Sequence, residues 1–366
     1  MTKTPFRYDY VGSFLRPDSL KKARRDFENR IITADELKDI EDQAIIELVE
    51  KQKQAGYHVI TDGEFRRATW HLDFMWGFNG VEHKPSQNPI HFHSTKTDLE
   101  DTYLVSQISV DHYPFVEHFK FIKALEDENT VAKQTIPAPA QFLLQCTFQE
   151  NIASTKAIYP NIQDLIQDLG KSYQKVIQDL YDAGCRNLQL DDCSWGLFFG
   201  KELNDEDKEF ANQLLEVNNL AVANAPSDMV INTHICRGNY NSDYFGEGAY
   251  DSVAHIIFGD ENVDAYYLEF DDERSGNFES LKEVSGDKKV VLGLITTKRP
   301  ELENKEKIIA RIHEASQYIP LERLYLSPQC GFASCEVGNK LTEEQQWAKL
   351  ALVKEIAEEV WKDSLY

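Results

Sequence analysis

The sequence predicts an α/β fold in which eight parallel strands and the helices between them close into a (β/α)8 TIM barrel. Short runs rich in β-branched residues recur along the chain, and each is followed by a longer helical pattern. There are eight such runs, the number of a closed barrel rather than of an open doubly wound sheet. No Pro-, Gly- or Ser-rich linker divides the 366 residues, so we expect a single catalytic barrel domain over residues 1–366.

The predicted strands share a short apolar centre with polar or turn-forming residues at their ends. Because helical segments separate them, they should pair in parallel. In chain order the predicted strands are Tyr8–Ser13, His58–Glu64, Val131–Pro137, Arg186–Asp192, Met229–Cys236, Ala265–Phe270, Lys289–Thr297 and Leu324–Cys330.

The helical segments carry recognisable end signals. Thr33 and Glu36 form a capping box before a helix that should end at Gly56. Thr342 and Gln345 form a second box before the C-terminal helix. Between these two helices, apolar residues at helical spacing predict helices in NIQDLIQDLGKSYQKVIQDLYDAG, FANQLLEVNNLAVANA, YDSVAHIIFG and KEKIIARIHEASQYI.

One region interrupts the alternation of strands and helices. Residues 77–120 contain IHFHSTKTDLEDTYLVSQISV, in which apolar and polar residues alternate as in a β-hairpin. We therefore predict a hairpin-like insertion after the second strand.

Composition and charge exclude several classes of function. The formal net charge of -23 should repel nucleic acids and anionic membranes. The N-terminal MTKTPFRYDYVGS has neither an apolar core nor a cleavage signature, and no apolar run is long enough to span a membrane. We therefore expect a cytoplasmic protein whose six cysteines are free thiols or metal ligands rather than disulfides. Whether it forms a homo-oligomer is left open.

Polar residues collect at the predicted C-terminal ends of the strands, where barrel enzymes place their chemistry. In VINTHIC, the alternation of a strand puts His234 and Cys236 on one face. Glu269 ends the next strand and Cys330 ends the eighth. All four are zinc ligands, and two thiolates favour zinc over magnesium or calcium. The residue types alone still allow a hydrogen-bonded histidine with buried thiols, or Cys335 as a rival fourth ligand.

Two acidic residues at strand ends are candidates for binding a ligand. Asp191 lies on the inward-facing side of its strand under the alternation rule. Glu64 ends the second strand, and it could equally form an ion pair with Arg66 or Arg67.

Six segments, taken together and in order, resemble the catalytic barrel of the cobalamin-independent methionine synthases. They are VGSFLRP, TDGEFRR, LQLDD, THIC, the Glu of LEF, and SPQCG. The likeness is to the short single-barrel members, described as 5-methyltetrahydropteroyltriglutamate–homocysteine methyltransferases. It implies a zinc-dependent S-methyltransferase of methionine biosynthesis that methylates the thiol of homocysteine. The methyl donor would be a methylfolate such as methyltetrahydrofolate, or another carrier such as a corrinoid protein.

The resemblance also implies a role for each site residue. Zinc would be held by His234, Cys236, Glu269 and Cys330. The carboxylate of homocysteine would meet the turn at Gly12 and Ser13, and its amino group would lie between Glu64 and Asp191, the two acids assigned to catalysis and substrate binding.

The chain departs from the family on the donor side. In GLITTK, Thr296 and Lys298 stand where the family has an Asp and a His that relay a proton. A lysine with its ordinary pKa is a weak proton donor at neutral pH. The family's folate-stacking tryptophan is not found after the third strand. The resemblance also implies that full-length members carry a second, N-terminal barrel that helps to bind the folate, and these 366 residues leave no room for one. We expect a complete acceptor half and an altered donor half.

Two other functions remain compatible with the residues. One is zinc-dependent alkyl transfer to a different thiol, as in epoxyalkane–coenzyme M transferases. Glu64 and Asp191 disfavour this alternative, because coenzyme M has no amino group. The other is a protein that does not act on thiols, either a metal-storing or metal-sensing barrel or a decarboxylase of the uroporphyrinogen type. A decarboxylase would need no zinc, and the ligand set would have no explanation.

Overall fold

The computed structural model describes residues 4–85, 90–97, 100–148 and 151–362. Within these residues the strands are β1 Val59–Ile60, β2 Asn79–Pro85, β3 Glu100–Ser109, β4 Val131–Ala132, β5 Gln134–Pro137, β6 Asn187–Asp192, β7 Val230–Ile235, β8 Ala265–Glu269, β9 Lys289–Ile295 and β10 Leu324–Pro328.

The strands form a closed barrel, which confirms the predicted fold class. Strands β5 to β10 are neighbours in sequence order and all pair in parallel. Strand β1 pairs in parallel with β4, whose chain runs on into β5. The N-terminal segment closes the ring: the Asp9 amide donates to the Leu326 carbonyl at 3.0 Å, and the Phe14 amide donates to the Gly63 carbonyl at 3.1 Å.

Two of the predicted strands are much shorter than the sequence pattern indicated, whereas the other six differ by three residues or fewer. The segment Tyr8–Ser13 contributes a single bridge, from Tyr8 to β10. In His58–Glu64, only β1 is extended strand. The reason is that Gly63 and Glu64 have φ values of 66° and 62°, so the chain turns before Glu64. This turn lies at the mouth of the barrel, where Glu64 lines the cavity described below.

The helices pack outside the strands. They are α1 Asp18–Glu28, α2 Ala34–Gln54, α3 Leu72–Met75, α4 Pro114–Lys123, α5 Pro139–Thr147, α6 Asn151–Ile158, α7 Ile162–Asp182, α8 Asp205–Val222, α9 Ala254–Asp260, α10 Lys305–Ala315 and α11 Glu343–Val360. Both predicted capping boxes are present, at Thr33 for α2 and at Thr342 for α11. Among the described residues, no helix combines the length and the apolar character needed to cross a membrane.

The irregular region contains an antiparallel hairpin of β2 and β3. The alternating pattern predicted the β3 arm, but its partner is the earlier NGVEHKP segment. That arm is largely exposed along its length, so it has no buried face to impose an alternating sequence. Residues 90–97 instead leave the hairpin and run across the mouth of the barrel towards the loop that follows β7.

A buried ion pair fills the barrel interior below the mouth. The Lys133 ammonium lies 2.9 Å from an Asp9 carboxylate oxygen, and both side chains are fully buried. The Tyr267 hydroxyl donates to the second Asp9 oxygen at 2.7 Å. Burial lowers the pKa of Lys133, and the adjacent Asp9 carboxylate opposes that shift. The pair ties the N-terminal segment to β8 and to the chain between β4 and β5.

Glu261, just after α9, gives the fold a predictable pH dependence. One of its oxygens accepts a 2.9 Å bond from Asn218, and the other is buried without a partner. Burial raises the pKa of Glu261 to about 8, with a further contribution from the Asp192 charge. The folded-state pKa thus exceeds the unfolded value near 4.5. The folded protein binds the extra proton between these two values, so stability should fall as pH rises through this window.

We therefore expect Glu261→Gln to raise the free energy of unfolding at pH 9 by about 1–3 kcal/mol, because a neutral amide replaces a buried charge. At pH 5 the gain should disappear. Urea unfolding at the two pH values measures the difference. Asp260→Asn changes an exposed carboxylate at the end of the same helix and should have no such effect. Equal effects of Glu261→Gln at both pH values would refute the assignment.

Candidate metal and substrate site

Four potential metal ligands meet at the C-terminal ends of three strands. His234 belongs to β7 and Cys236 follows it, Glu269 is the last residue of β8, and Cys330 follows β10. One ligand atom from each of the four lies within 4.8 Å of the others, and all four side chains are buried. Cys335, the rival ligand, is not part of this cluster.

Hydrogen bonds orient the ligand atoms towards one another. The Cys330 sulfur lies 3.3 Å from the His234 Nε2 and 3.7 Å from the Cys236 sulfur. The other ring nitrogen of His234 lies 3.2 Å from the Tyr267 carbonyl. Metal-bound histidines are commonly held by such a second contact, which fixes both tautomer and ring direction. The Gly238 amide donates to the Cys236 sulfur at 3.2 Å.

Glu269 leaves one carboxylate oxygen available to a cation. Its Oε1 accepts a 2.9 Å bond from the Arg237 amide, whereas its Oε2 is buried and has no hydrogen-bond partner. The nearest cations to Oε2 are Arg274 at 3.6 Å and Lys298 at 3.9 Å. A buried carboxylate oxygen without a hydrogen bond is unfavourable unless a positive charge compensates it.

The protein alone favours the neutral form of both cluster thiols. The pKa of Cys330 lies well above its usual value because of its hydrogen bond to Cys236 and its burial. The pKa of Cys236 is raised by contact with Cys193 and by burial. A divalent cation would reverse both effects, since it binds thiolates directly. One imidazole, two sulfurs and one carboxylate form a donor set that fits zinc.

The candidate substrate residues line the same cavity as the metal cluster. Ser13, Glu64 and Asp191 all contribute to its wall together with His234 and Cys236. Gly12 is not among the lining residues. It has a φ of 151°, and a Cβ there would lie 2.8 Å from a Thr135 methyl group. Its contribution is therefore to the turn that presents Ser13.

Two buried carboxyl groups face the cavity. Glu64 accepts a 3.0 Å bond from Thr135 and lies 3.5 Å from Arg67, and its second oxygen has no partner. Asp191 accepts a 2.7 Å bond from Gln189. Burial raises the pKa of both carboxyl groups, and the Glu64 charge raises that of Asp191 further. Such a pair suits a ligand that carries an ammonium group.

Of the two arginines that could form an ion pair with Glu64, only Arg67 approaches it. Arg66 pairs instead with Glu41 at 3.1 Å and with Asp42. Arg67 donates to the Thr135 carbonyl at 2.6 Å, so one arm of its guanidinium is already engaged. Glu64 thus retains an unpaired oxygen next to the cavity.

Thr296 and Lys298, the residues that replace the expected proton relay, are buried but do not line the cavity. The Lys298 ammonium has no hydrogen-bond partner among the described residues and lies behind Glu269. Lys298 therefore neighbours the Glu269 carboxylate and does not face the cavity.

Several residues that line the cavity were not among the predicted site residues. Cys193 looked like an ordinary thiol, yet it lines the cavity beside Cys236. Its place directly after β6, in LQLDDC, was a usable signal. Trp70 and His71 also line the cavity, stacked with ring centroids 4.4 Å apart. They follow TDGEF by only a few residues, so a search of that loop for aromatic residues would have found them.

The chain resembles a defined set of proteins. Residues 151–359 match the family described as cobalamin-independent synthase, catalytic domain. The chain is 44% identical to the uncharacterized protein YxjG of Bacillus subtilis, over 98% of this chain and 96% of that protein. A Listeria monocytogenes structure with a provisional assignment as a vitamin-B12 independent methionine synthase aligns with a TM-score of 0.79 at 38% identity, covering 99% of both chains. A B12-independent methionine synthase from Shewanella, in complex with selenomethionine, shares the fold with a TM-score of 0.74 at 20% identity over 98% of both chains.

Proposed function

The chain belongs to the family of cobalamin-independent methionine synthase catalytic domains, and from this premise we propose that it methylates the thiol of homocysteine to give methionine. The proposed metal is zinc, held by His234, Cys236, Glu269 and Cys330. The observation that carries the proposal is that three members of this cluster, His234, Cys236 and Cys330, line one cavity together with two buried carboxyl groups. We propose further that residues 1–366 form one catalytic domain, with residues 77–120 as an insertion in it.

Each group has a distinct role in the proposed reaction. When bound, zinc would stabilise the acceptor sulfur as a thiolate that remains nucleophilic. Glu64 and Asp191 would bind the ammonium group and so fix the direction of the acceptor. The Ser13 hydroxyl accepts a 3.3 Å bond from the Ala333 amide, which leaves its proton available to the acceptor carboxylate.

The two carboxylates also bear on the alternatives. An acceptor without an amino group, such as coenzyme M, would leave Asp191 buried without an ion pair and the second Glu64 oxygen buried without a hydrogen bond, which is costly. A decarboxylase would leave the ligand cluster without a role. Homocysteine uses both features.

The test is a transfer assay on freshly purified, reduced protein. Zinc per chain is measured first, and homocysteine is then supplied with methyltetrahydrofolate, methylcobalamin or a methyl-onium compound while methionine is quantified. We expect one zinc per chain and methionine from at least one donor. Zinc near zero in reduced protein, with no methionine from any donor, would overturn the proposal.

Gly331 supplies a sharper test of where the acceptor binds. A Cβ at this position would lie 1.8 Å from the Ser13 hydroxyl oxygen, so Gly331→Ala should displace that hydroxyl. We expect kcat/KM for homocysteine to fall on the order of 10- to 100-fold, as misplacement of a positioning group by about 1 Å typically does. Zinc content should not change. Gly259→Ala, where a Cβ meets nothing within 4 Å, is the matched control. Unchanged kinetics in Gly331→Ala would exclude Ser13 from the acceptor site.

A further inference from the structure

The cavity wall contains aromatic rings that the acceptor does not need. Six aromatic residues contribute to it: Trp70, His71, Phe92, Phe148, Tyr240 and Phe245. Phe245 is 41% exposed, so the wall reaches the surface of the protein at this residue. An aromatic surface that borders an open cavity is a typical ligand-binding wall.

The rings contact one another around the opening. Phe92 lies 5.5 Å from Tyr240 and 6.3 Å from Phe245, measured between ring centroids. Trp70 and His71 stack at an angle of 27° elsewhere in the same wall. With Phe148, the wall therefore joins residues from four separate parts of the chain.

Phe92 is held in this wall by an anchored segment. The buried Asp243 carboxylate accepts hydrogen bonds from the Ser94 amide at 2.6 Å and from the Thr95 amide at 2.8 Å. It also accepts from both hydroxyls at 3.0 Å. The His93 amide donates to the Tyr244 carbonyl at 2.9 Å. These bonds fix residues 90–97 to the loop that follows β7.

The charge of the cavity is one-sided. Among the described residues that line it there is no lysine and no arginine, whereas Glu64 and Asp191 contribute carboxyl groups. Burial lowers the pKa of His71 to about 3, so this ring is neutral at physiological pH. An anionic ligand would find no counter-charge here. A cation would be attracted by the faces of the aromatic rings.

We propose that the aromatic wall binds the methyl donor, and that the donor is a small methyl-onium compound, either a sulfonium or a quaternary ammonium. This inference rests on the proposed function and names its second substrate. In the transfer, the acceptor thiolate sulfur forms a bond to the methyl carbon. The bond from that carbon to the onium atom breaks, and its electron pair stays on the leaving atom. The leaving group departs as a neutral thioether or tertiary amine.

This chemistry agrees with the altered donor side of the chain. A neutral N-methyl donor needs a proton on its leaving nitrogen, and Thr296 and Lys298 do not face the cavity to supply one. An onium donor needs no proton at all. The replacement of the expected Asp and His is therefore consistent with this class of donor.

A pair of isosteric ligands tests the proposal without requiring turnover. Choline carries a quaternary ammonium group, and 3,3-dimethylbutan-1-ol has the same shape without the charge. By calorimetry on the intact protein, choline should bind about tenfold more tightly or better. Phe92→Ala and Trp70→Leu should each remove most of this preference, and Asp243→Ala should weaken it by freeing residues 90–97. The Trp76 ring stacks on His83 and does not line the cavity. Trp76→Leu should therefore keep the preference for choline.

The possible outcomes separate this inference from the proposed function. Equal binding of the two isosteres, no binding of either, or a preference that survives both Phe92→Ala and Trp70→Leu would overturn the onium proposal. Methionine formation from methyltetrahydrofolate alone would overturn it too, while leaving the homocysteine reaction intact. Assays with trimethylsulfonium and tetramethylammonium as donors distinguish the two onium classes. A choline preference without methionine from any donor would instead count against the methyltransferase assignment.

Discussion

Replacing Cys236 or Cys330 with serine should abolish binding of the proposed zinc and nearly abolish the proposed methyl transfer to homocysteine. The two sulfurs lie 3.7 Å apart in a cluster with one imidazole and one carboxylate. Loss of a residue that only supports a metal ligand commonly lowers affinity or activity by about 10- to 100-fold. Loss of a ligand itself should exceed that range. Metal analysis of the purified variants, followed by the transfer assay, measures both effects.

The chain offers matched controls for these substitutions. Cys193 contacts Cys236 but lies outside the four-residue cluster, so Cys193→Ser should retain the metal. Cys335→Ser should retain it as well, because Cys335 lines the cavity without joining the cluster. If Cys193→Ser lost the metal as completely as Cys236→Ser, the ligand set would have to be redrawn.

Glu64→Gln should lower kcat/KM for homocysteine by about 30- to 4,000-fold, the range that corresponds to about 2–5 kcal/mol for one partner of a buried charge pair. The amide keeps the shape of the side chain but cannot attract an ammonium group as a carboxylate does. Burial raises the pKa of Glu64, so replacing it with a neutral side chain should not destabilise the fold. Zinc content should also be unchanged.

The control for this prediction is made on the substrate. 4-Mercaptobutyrate resembles homocysteine without its amino group. The parent protein should use it poorly, and Glu64→Gln should use it no worse than the parent does. If Glu64→Gln impaired both thiols equally, Glu64 would act elsewhere than at the amino group.

The metal cluster could be predicted because its geometry follows from local rules. Alternation along β7 places His234 and Cys236 on one face, and the ends of parallel strands in a barrel converge on one mouth. Glu269 and Cys330 needed no knowledge of distant contacts, only of their position at the ends of their own strands. The same rules place Asp191, in β6, at the cavity, whereas Glu64 reaches it through the turn that follows β1.

The aromatic wall could not be predicted in the same way. Ser94 lies 149 positions before Asp243, and their hydrogen bonds depend on the path of an irregular segment. Neither residue belongs to a strand whose periodicity would fix its direction. The pairing of β2 with β3 escaped for a related reason, because an exposed arm is under no constraint to alternate. Alternating hydrophobic patterns predict which face of a regular strand is buried. They do not predict contacts made by an irregular segment or by an exposed strand.

The ion pair between Asp9 and Lys133 has a practical consequence for engineering this protein. The N-terminal segment completes the ring, and it also supplies the carboxylate that neutralises a fully buried ammonium group. Deleting residues through Asp9 would leave the Lys133 ammonium buried without its counter-charge. The free energy of unfolding should then fall by about 3–5 kcal/mol, the usual cost of breaking a buried ion pair. Affinity tags and fusion partners are therefore better joined after α11, at the C-terminal end. A circular permutant should keep residues 7–14 covalently continuous and open the chain elsewhere.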